Sequence, residues 1–433
     1  MIERITIEPA ARPIDAVVRL PGSKSITNRA LVMAALAEGE SAITCALFSD
    51  DTRYMAAALA TLGIVVDADE AAESMRVQGL GGVFPARSVD LFVGNAGTAM
   101  RFLTAFVALG RGEFCLDGVT RMRQRPIADL LSALRQAGVD VRCRNNDDCP
   151  PVDVRADGLR GGNVMLDAGV SSQYLSALLM VAPYAREGMR IELVGKLVSE
   201  PYVRMTTGMM AQWGVSTDQP APNVYCVAPG QRYRAMREYR VEPDASSASY
   251  FMAAAAVTGG RVRIPGIGTA SLQGDVAFAD VLEQAGCHVE RGPDWVEVRG
   301  PERLRGLDID MNAISDTAMT LAVVALFADG PTRIRNVAHV RQKESDRVSA
   351  LAAELRKLGA GVEEQPDGLT IDPPAAIRPA AVKTYDDHRM AMSFAVAGLR
   401  APGVTICDPA CVAKTFPGYF RALRDCAQGT ARA

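Results

Sequence analysis

Histidine is scarce in this chain: three residues in 433, at His288, His339 and His388. The nine cysteines include no C-x-x-C pair, and Asp408-Pro409 between the nearest two, Cys407 and Cys411, favours a turn over a ligand face. This inventory argues against a zinc site and a disulfide framework, and predicts reduced thiols in a cytoplasmic protein with no metal and no cofactor. A surplus of one charge is also missing. With 47 Lys+Arg against 50 Asp+Glu the net charge is −3, which argues against a broad basic surface for nucleic acid or an anionic membrane but leaves room for a local basic cleft. Apolar runs such as Met319 to Ala328 are too short to cross a bilayer. The opening MIERITIEPA is charged within four residues and does not read as a signal peptide.

What the chain does have is size and repetition. Its 433 residues predict two domains, and 48% hydrophobic with 22% charged residues is a globular composition. Amphipathic segments such as Pro126-IADLLSALRQA end at Gly63, Gly138, Gly214, Gly286 and Gly359, roughly every 75 residues, with a sixth copy from Pro417 to Gly429. Pro126 and Pro201 stand where a first helical residue would, and glycine stands just past the helix end. A second helix series starts near Ser25, Thr98, Ser172, Ser246, Asp316 and Asp387. Segments such as SSASYFMAAAAVTGG are apolar nearly all round, so these helices are buried.

Each repeat thus reads as buried helix, strand, amphipathic helix, strand. After Gly429 only four residues remain, so the missing strand is expected from the amino terminus, where Ile5 and Ile7 alternate with polar residues. Six units divide as three plus three. The expected domains are 1–20 with 243–433, and 21–242.

Polar residues gather at the starts of the buried helices, where free N–H groups and the helix dipole favour anions. Pro21-Gly-Ser-Lys-Ser-Ile-Thr-Asn-Arg29 offers Lys24, Ser25 and Arg29, without the glycine spacing of a nucleotide-binding P-loop. Gly94-Asn-Ala-Gly-Thr-Ala-Met-Arg101 is a tight turn into a helix. Arg125 reads as a cation at a helix start, the wrong sign for the dipole unless an anion binds there. Ser171-Ser-Gln173 and Ser199-Glu-Pro-Tyr202 are weaker signals, and Asp244-Ala-Ser-Ser reads as simple capping. In Arg341-Gln-Lys-Glu-Ser-Asp-Arg347, the spacing places Lys343 and Arg347 on one helix face beside Glu344. Asp316 is either a cap or a general base. His388-Arg389 and Lys414 add cations at or near similar starts. Seven cations (Lys24, Arg29, Arg125, Lys343, Arg347, Arg389, Lys414) against the carboxylates Asp316 and Glu344 describe a metal-free acid–base site for polyanionic substrates.

PGSKSITNRA, GNAGTAMR, RPI, SSQ, the Asp316 helix, KESDR, YDDHRMAM and AKTFPGYF resemble, in the same order, the blocks of the 5-enolpyruvylshikimate-3-phosphate synthases. The resemblance implies an α/β fold of two domains, each with three βαβαββ repeats about a pseudo-three-fold axis, and an active site in the interdomain cleft. It implies enolpyruvyl transfer from phosphoenolpyruvate to shikimate 3-phosphate (3-phosphoshikimate 1-carboxyvinyltransferase activity), by a monomer without nucleic-acid or membrane partners. Shikimate 3-phosphate would then meet Lys24, Ser25, Arg29, Ser171, Ser172, Gln173, Ser199, Tyr202, Asp316, His339 and Lys343. Phosphoenolpyruvate would meet Lys24, Gly97, Arg125, Gln173, Arg347, Arg389 and Lys414. Asp316, Glu344 and Lys24 would be catalytic.

This chain departs from the family twice: His339 replaces the usual Asn, and Phe102 follows Arg101 where Pro is common. In this family the herbicide glyphosate occupies the phosphoenolpyruvate site, and Gly97, which bears on it, is retained. The rival readings are the sister transferase acting on UDP-N-acetylglucosamine, which uses a loop cysteine, and a non-catalytic repeat scaffold. Cys115 instead falls in an expected strand, as a buried thiol. A scaffold leaves the gathered cations unexplained.

Overall fold

Helices with no polar face must be covered on all sides, and that requirement sets the architecture. The computed structural model describes residues 3–429. Contacts divide them into two units: Gly22–Val241 is one, and the described residues on either side of it form the other.

Within Gly22–Val241 the inner helices are Lys24–Leu36, Gly97–Val107 and Ser172–Val181. All 11 residues of Gly97–Val107 are buried. Three four-stranded sheets accompany them. In one, Ser88–Phe92 runs parallel to Arg111–Asp117 with Val89 opposite Phe114; Val152–Asp157 and Asp140–Cys143 then add antiparallel. With the helices Gly97–Val107 and Ala128–Gln136 this gives the order βαβαββ. The third repeat repeats it, with Gly162–Asp167 parallel to Met189–Val194. The first repeat takes its opening strand from the far end of the unit: Tyr239–Arg240 pairs parallel with Glu38–Thr44.

The second unit follows the same plan around Ala245–Thr258, Ala318–Val324 and His388–Gly398. All 14 residues of Ala245–Thr258 are buried, and its run of alanines lets neighbours approach closely. The amino-terminal segment supplies two strands. Asp15–Val17 runs parallel to Arg261–Pro265, and Arg4–Thr6 runs antiparallel to Val404–Cys407 with Ile5 opposite Ile406. The positions after Gly429, expected to hold no strand, lie outside the described residues.

The repeat differs from the periodicity reading in one respect. Two strands per repeat were expected; most sheets have four. An opening strand such as Asp308–Asp310 is short, with no buried residue, and so leaves almost no alternating signal. The glycines behave as helix stops: Gly63, Gly138, Gly214, Gly286 and Gly359 all have positive φ. Pro201 opens the helix Pro201–Gln212. Pro126 does not open one. Ile127, non-helical at φ −143°, stands before the helix Ala128–Gln136, its N–H donating to Asp148 O at 2.9 Å.

The amino-terminal segment is wedged tightly against its unit. A Cβ built on Gly398 would lie 2.4 Å from Ile7 Cβ. Gly398→Ala should therefore destabilise the protein by about 1–3 kcal/mol through overpacking, read as a lower urea midpoint at unchanged slope.

Candidate active site

In Gly22–Val241, Ser23 caps the first inner helix by accepting from Ile26 N at 3.4 Å, which sets Lys24 at its first turn. Lys24 Nζ lies 3.1 Å from Asp51 Oδ2 on the helix Asp50–Thr61. Arg29 is 2% exposed. Its Nε donates to Thr206 Oγ1 (2.7 Å), Nη1 to Ser25 O (3.1 Å), and Nη2 to Ser176 Oγ (3.3 Å) and Tyr202 O (3.2 Å). The guanidinium also stacks 5.1 Å from the centre of the Phe102 ring. Burial lowers the Arg29 pKa to about 10, which keeps it charged at neutral pH. Arg29 thereby ties together the segments that carry Ser25 and Tyr202, using four of its five N–H groups; the fifth is on Nη1.

The turn before Gly97–Val107 meets Arg125, whose Nη1 donates to Asn95 O (3.1 Å) and Oδ1 (3.2 Å). Gly97 lets both guanidinium groups come close: an added Cβ would sit 2.4 Å from Arg125 Nη2 and 2.5 Å from Arg101 Nη1, so a larger residue would displace them. Arg101 in turn holds Gly97 O (3.1 Å) and Pro126 O (3.2 Å), and Tyr174 Oη also donates to Pro126 O at 2.6 Å. Gln173 reaches Thr98 Oγ1 at 3.1 Å. Ser171 caps its helix by accepting from Gln173 N at 3.3 Å. Ser172 and Ser199 are buried, and Ser199 sits at φ +50° just before the helix that carries Tyr202. The dipole argument for Arg125 fails, because the residue follows the short turn Met122–Gln124 and does not open a helix.

In the other unit one carboxylate gathers three cations. Asp316 accepts from Lys343 Nζ at 2.5 Å, Arg347 Nη1 at 3.2 Å and Arg389 Nη2 at 2.6 Å. Burial pushes the Asp316 carboxyl upward, but Arg389, Lys343 and Arg347 more than offset it and hold it well below the usual carboxylate range. Burial likewise lowers the Lys343 ammonium, against the pull of Asp316. Arg347, 1% exposed in its side chain, also meets Glu344 Oε2 and Asp387 Oδ2, each at 2.8 Å. Lys414 Nζ is 3.8 Å from Glu344 Oε1. Arg389 Nη1 reaches Tyr250 Oη at 3.4 Å. His339 lies beside them, its Nε2 2.9 Å from Ser315 Oγ, and burial followed by the nearby Lys343 pushes its pKa down to about 3. It is a neutral hydrogen-bonding group at physiological pH.

Three expectations need correcting. Lys343 and Arg347 do not share a helix face. Asp346 caps the helix by accepting from Ser349 N, so Arg347 is its first residue and Lys343 stays in the preceding turn. Asp316 is neither cap nor opening residue of Ala318–Val324; it lies in the turn Ser315–Thr317 and is occupied by cations. Lys414 ends the turn Pro409–Lys414, well before the helix Tyr419–Gln428. The sequence also left Asp51, Asp387, Asn95 and Arg101 without roles. Asp51 and Asp387 pair across 27 and 40 residues of chain, and no local pattern marks such pairs.

Because Asp387 is fully buried against Arg347, Asp387→Ala should cost about 3–5 kcal/mol in chemical denaturation. Breaking the solvated pair Arg111–Asp157 should leave the midpoint unchanged. The depressed Asp316 carboxyl gives a sign as well. Its stabilising contribution is complete above its unfolded pKa of about 4 and is lost as pH falls through the lower folded value. The acid limb of the stability curve should flatten in Asp316→Asn.

The model of "EPSP synthase (3-phosphoshikimate 1-carboxyvinyltransferase)" matches residues 9–423. The 3-phosphoshikimate 1-carboxyvinyltransferase of Trichormus variabilis is 52% identical over 97% of this chain and 98% of its own. The chloroplastic enzyme of that name from Brassica napus is 51% identical over 97% of this chain and 84% of its own. Among solved structures, EPSP synthase from Acinetobacter baumannii shares the fold at TM-score 0.81 and 24% identity over 98% of both chains. The enolpyruvyl transferase NikO from Streptomyces tendae does so at 0.76 and 19%, again over 98% of both. With the match running through both units and over every cluster described above, the chain belongs to the EPSP synthase family.

Proposed function

We propose that this enzyme transfers the enolpyruvyl group of phosphoenolpyruvate to the 5-hydroxyl of shikimate 3-phosphate, by addition and elimination with release of phosphate. The observation that carries the reading is the Asp316 carboxylate under three cations, next to the Glu344–Lys414 and Glu344–Arg347 pairs. It combines anion-binding groups with two carboxylates able to move protons.

In this reading Ser171, Ser172, Gln173, Ser199 and the remaining Arg29 N–H take oxygens of shikimate 3-phosphate. Lys24 and Ser25 join them, with Tyr202 against the ring. Asp316, Lys343 and the neutral His339 meet its hydroxyls. Phosphoenolpyruvate is held at Lys24, Arg125 and the Gly97 turn with Gln173, and by Arg347, Arg389 and Lys414. Glu344 or Lys24 delivers a proton to C3, cationic character develops at C2, and the 5-oxygen adds as Asp316 takes its proton. The tetrahedral adduct then loses a proton from C3 as the C2–O bond to phosphate breaks.

The three cations around Asp316 support a reading of when it acts as the base. While three cations surround it, it is a poor base. Ligand oxygens that draw Lys343 and Arg389 away restore its proton affinity, so the base is switched on by the substrate it serves. The sister reaction on UDP-N-acetylglucosamine is disfavoured by Cys115: it lies buried in the strand Arg111–Asp117, its thiol pushed up to about 11 by burial, the reverse of an activated thiol. The reading also includes a monomer acting in the cytoplasm, in keeping with nine free cysteines.

Phosphate release from phosphoenolpyruvate should depend on shikimate 3-phosphate and be absent with UDP-N-acetylglucosamine; release with the latter, or with neither acceptor, would refute the assignment. Asp316→Asn should lower kcat on the order of 10²–10⁴-fold while binding phosphoenolpyruvate no more weakly than the parent, since the anion no longer competes with a carboxylate.

A further inference from the structure

Glu354 is a carboxylate that the reaction above does not use, yet its side chain is completely buried. It lies on the helix Arg347–Lys357, seven residues after Arg347 and therefore on the same face. Its partners lie on one strap of chain. Oε2 accepts from Lys383 N at 3.0 Å and Oε1 from the Tyr385 hydroxyl at 2.7 Å. Lys357 Nζ, 2.8 and 2.6 Å from the two oxygens, supplies the balancing charge from the helix itself.

The strap needs holding. Tyr385 and Asp386 both sit in the left-handed region, at φ 57° and 55°, a conformation that residues with a Cβ avoid. Directly after them comes Asp387, which clamps Arg347 at 2.8 Å and caps the next helix by accepting from Arg389 N at 3.0 Å. One helix therefore grips the strap at two places, through Glu354 at residues 383 and 385 and through Arg347 at residue 387. The turn between the grips decides where the first turn of His388–Gly398, and with it the Arg389 guanidinium, is placed.

We infer that Glu354 is a positioning residue: through Lys383 N and the Tyr385 hydroxyl it locks the left-handed turn that sets Arg389 for its anionic ligand. This rests on the reading that Arg389 meets phosphoenolpyruvate. A burial role alone would need neither a carboxylate nor two donors from the same strap.

Two variants test it, Glu354→Gln and Tyr385→Phe. The second removes a single hydroxyl from a residue that is 41% exposed, the milder of the two changes. Each should raise KM for phosphoenolpyruvate about tenfold, the loss of one hydrogen bond to a charged group. KM for shikimate 3-phosphate and kcat should stay within about twofold of the parent, and the double variant should be no worse than the poorer single one. Mere destabilisation lowers the active fraction and leaves both KM values alone. That result, or a parallel rise in both, overturns the inference. Amide hydrogen exchange over residues 384–388 reads the same device without turnover: it should quicken in both variants while residues 171–175 keep the parental rate, and unchanged exchange overturns the proposal even if the parent enzyme proves inactive. Failure of the parent to release phosphate counts against the assigned reaction, not against this clamp.

Discussion

Like charges cannot be packed together without a counterweight, and the second unit rests on how that is solved around Asp316. At a surface-like effective dielectric, two cations 4 Å apart repel by about 4 kcal/mol. Lys343, Arg347, Arg389 and Lys414 nevertheless gather within reach of one another, because Asp316, Glu344 and Asp387 are interleaved between them. In the proposed reading the carboxylates serve as internal stand-ins for substrate. They keep the guanidinium groups oriented before any anion arrives, so less ordering remains to be done on binding. The same arrangement holds the Asp316 carboxyl well below the usual carboxylate range while its cations surround it.

The fold delivers this arrangement through its buried helices. Small, apolar bodies such as Ala253, Ala254 and Ala255, all without exposure, allow rods to pack side by side with nothing reactive along their length. Charged side chains then gather near helix starts, of the buried rods and of the outer helix Arg347–Lys357, and in the turns beside them. Gly22–Val241 uses the same device with a lighter set of charges, where Arg29 and Arg101 act as internal struts and carry Ser25, Tyr202, Gly97 and Pro126 into position.

What the sequence made legible follows from what is local. A helix apolar on every face announces its own burial, and a glycine at a left-handed helix stop announces the repeat, so the α/β repeat architecture could be read directly. The short strand Asp308–Asp310 could not, since it carries little apolar alternation. Lys343 and Arg347 are separated by the cap Asp346, which starts the helix between them and overrides their four-residue spacing. The acidic partners Asp51 and Asp387 were invisible for a different reason. An ion pair between distant segments leaves no trace in periodicity, and only the folded chain shows which cation each one holds.

The central claim is that the base is restrained by the cations that bind substrate and released when substrate takes them. It can be tested at one atom, by following the carboxyl carbon of Asp316 by NMR through a pH titration of the aspartate-labelled enzyme, with the resonance assigned by its loss in the Asn variant. A midpoint far below that of a free aspartate in the unliganded enzyme, moving upward when shikimate 3-phosphate binds, is the predicted result. An unchanged midpoint, or one already near that of a free aspartate without ligand, would contradict it.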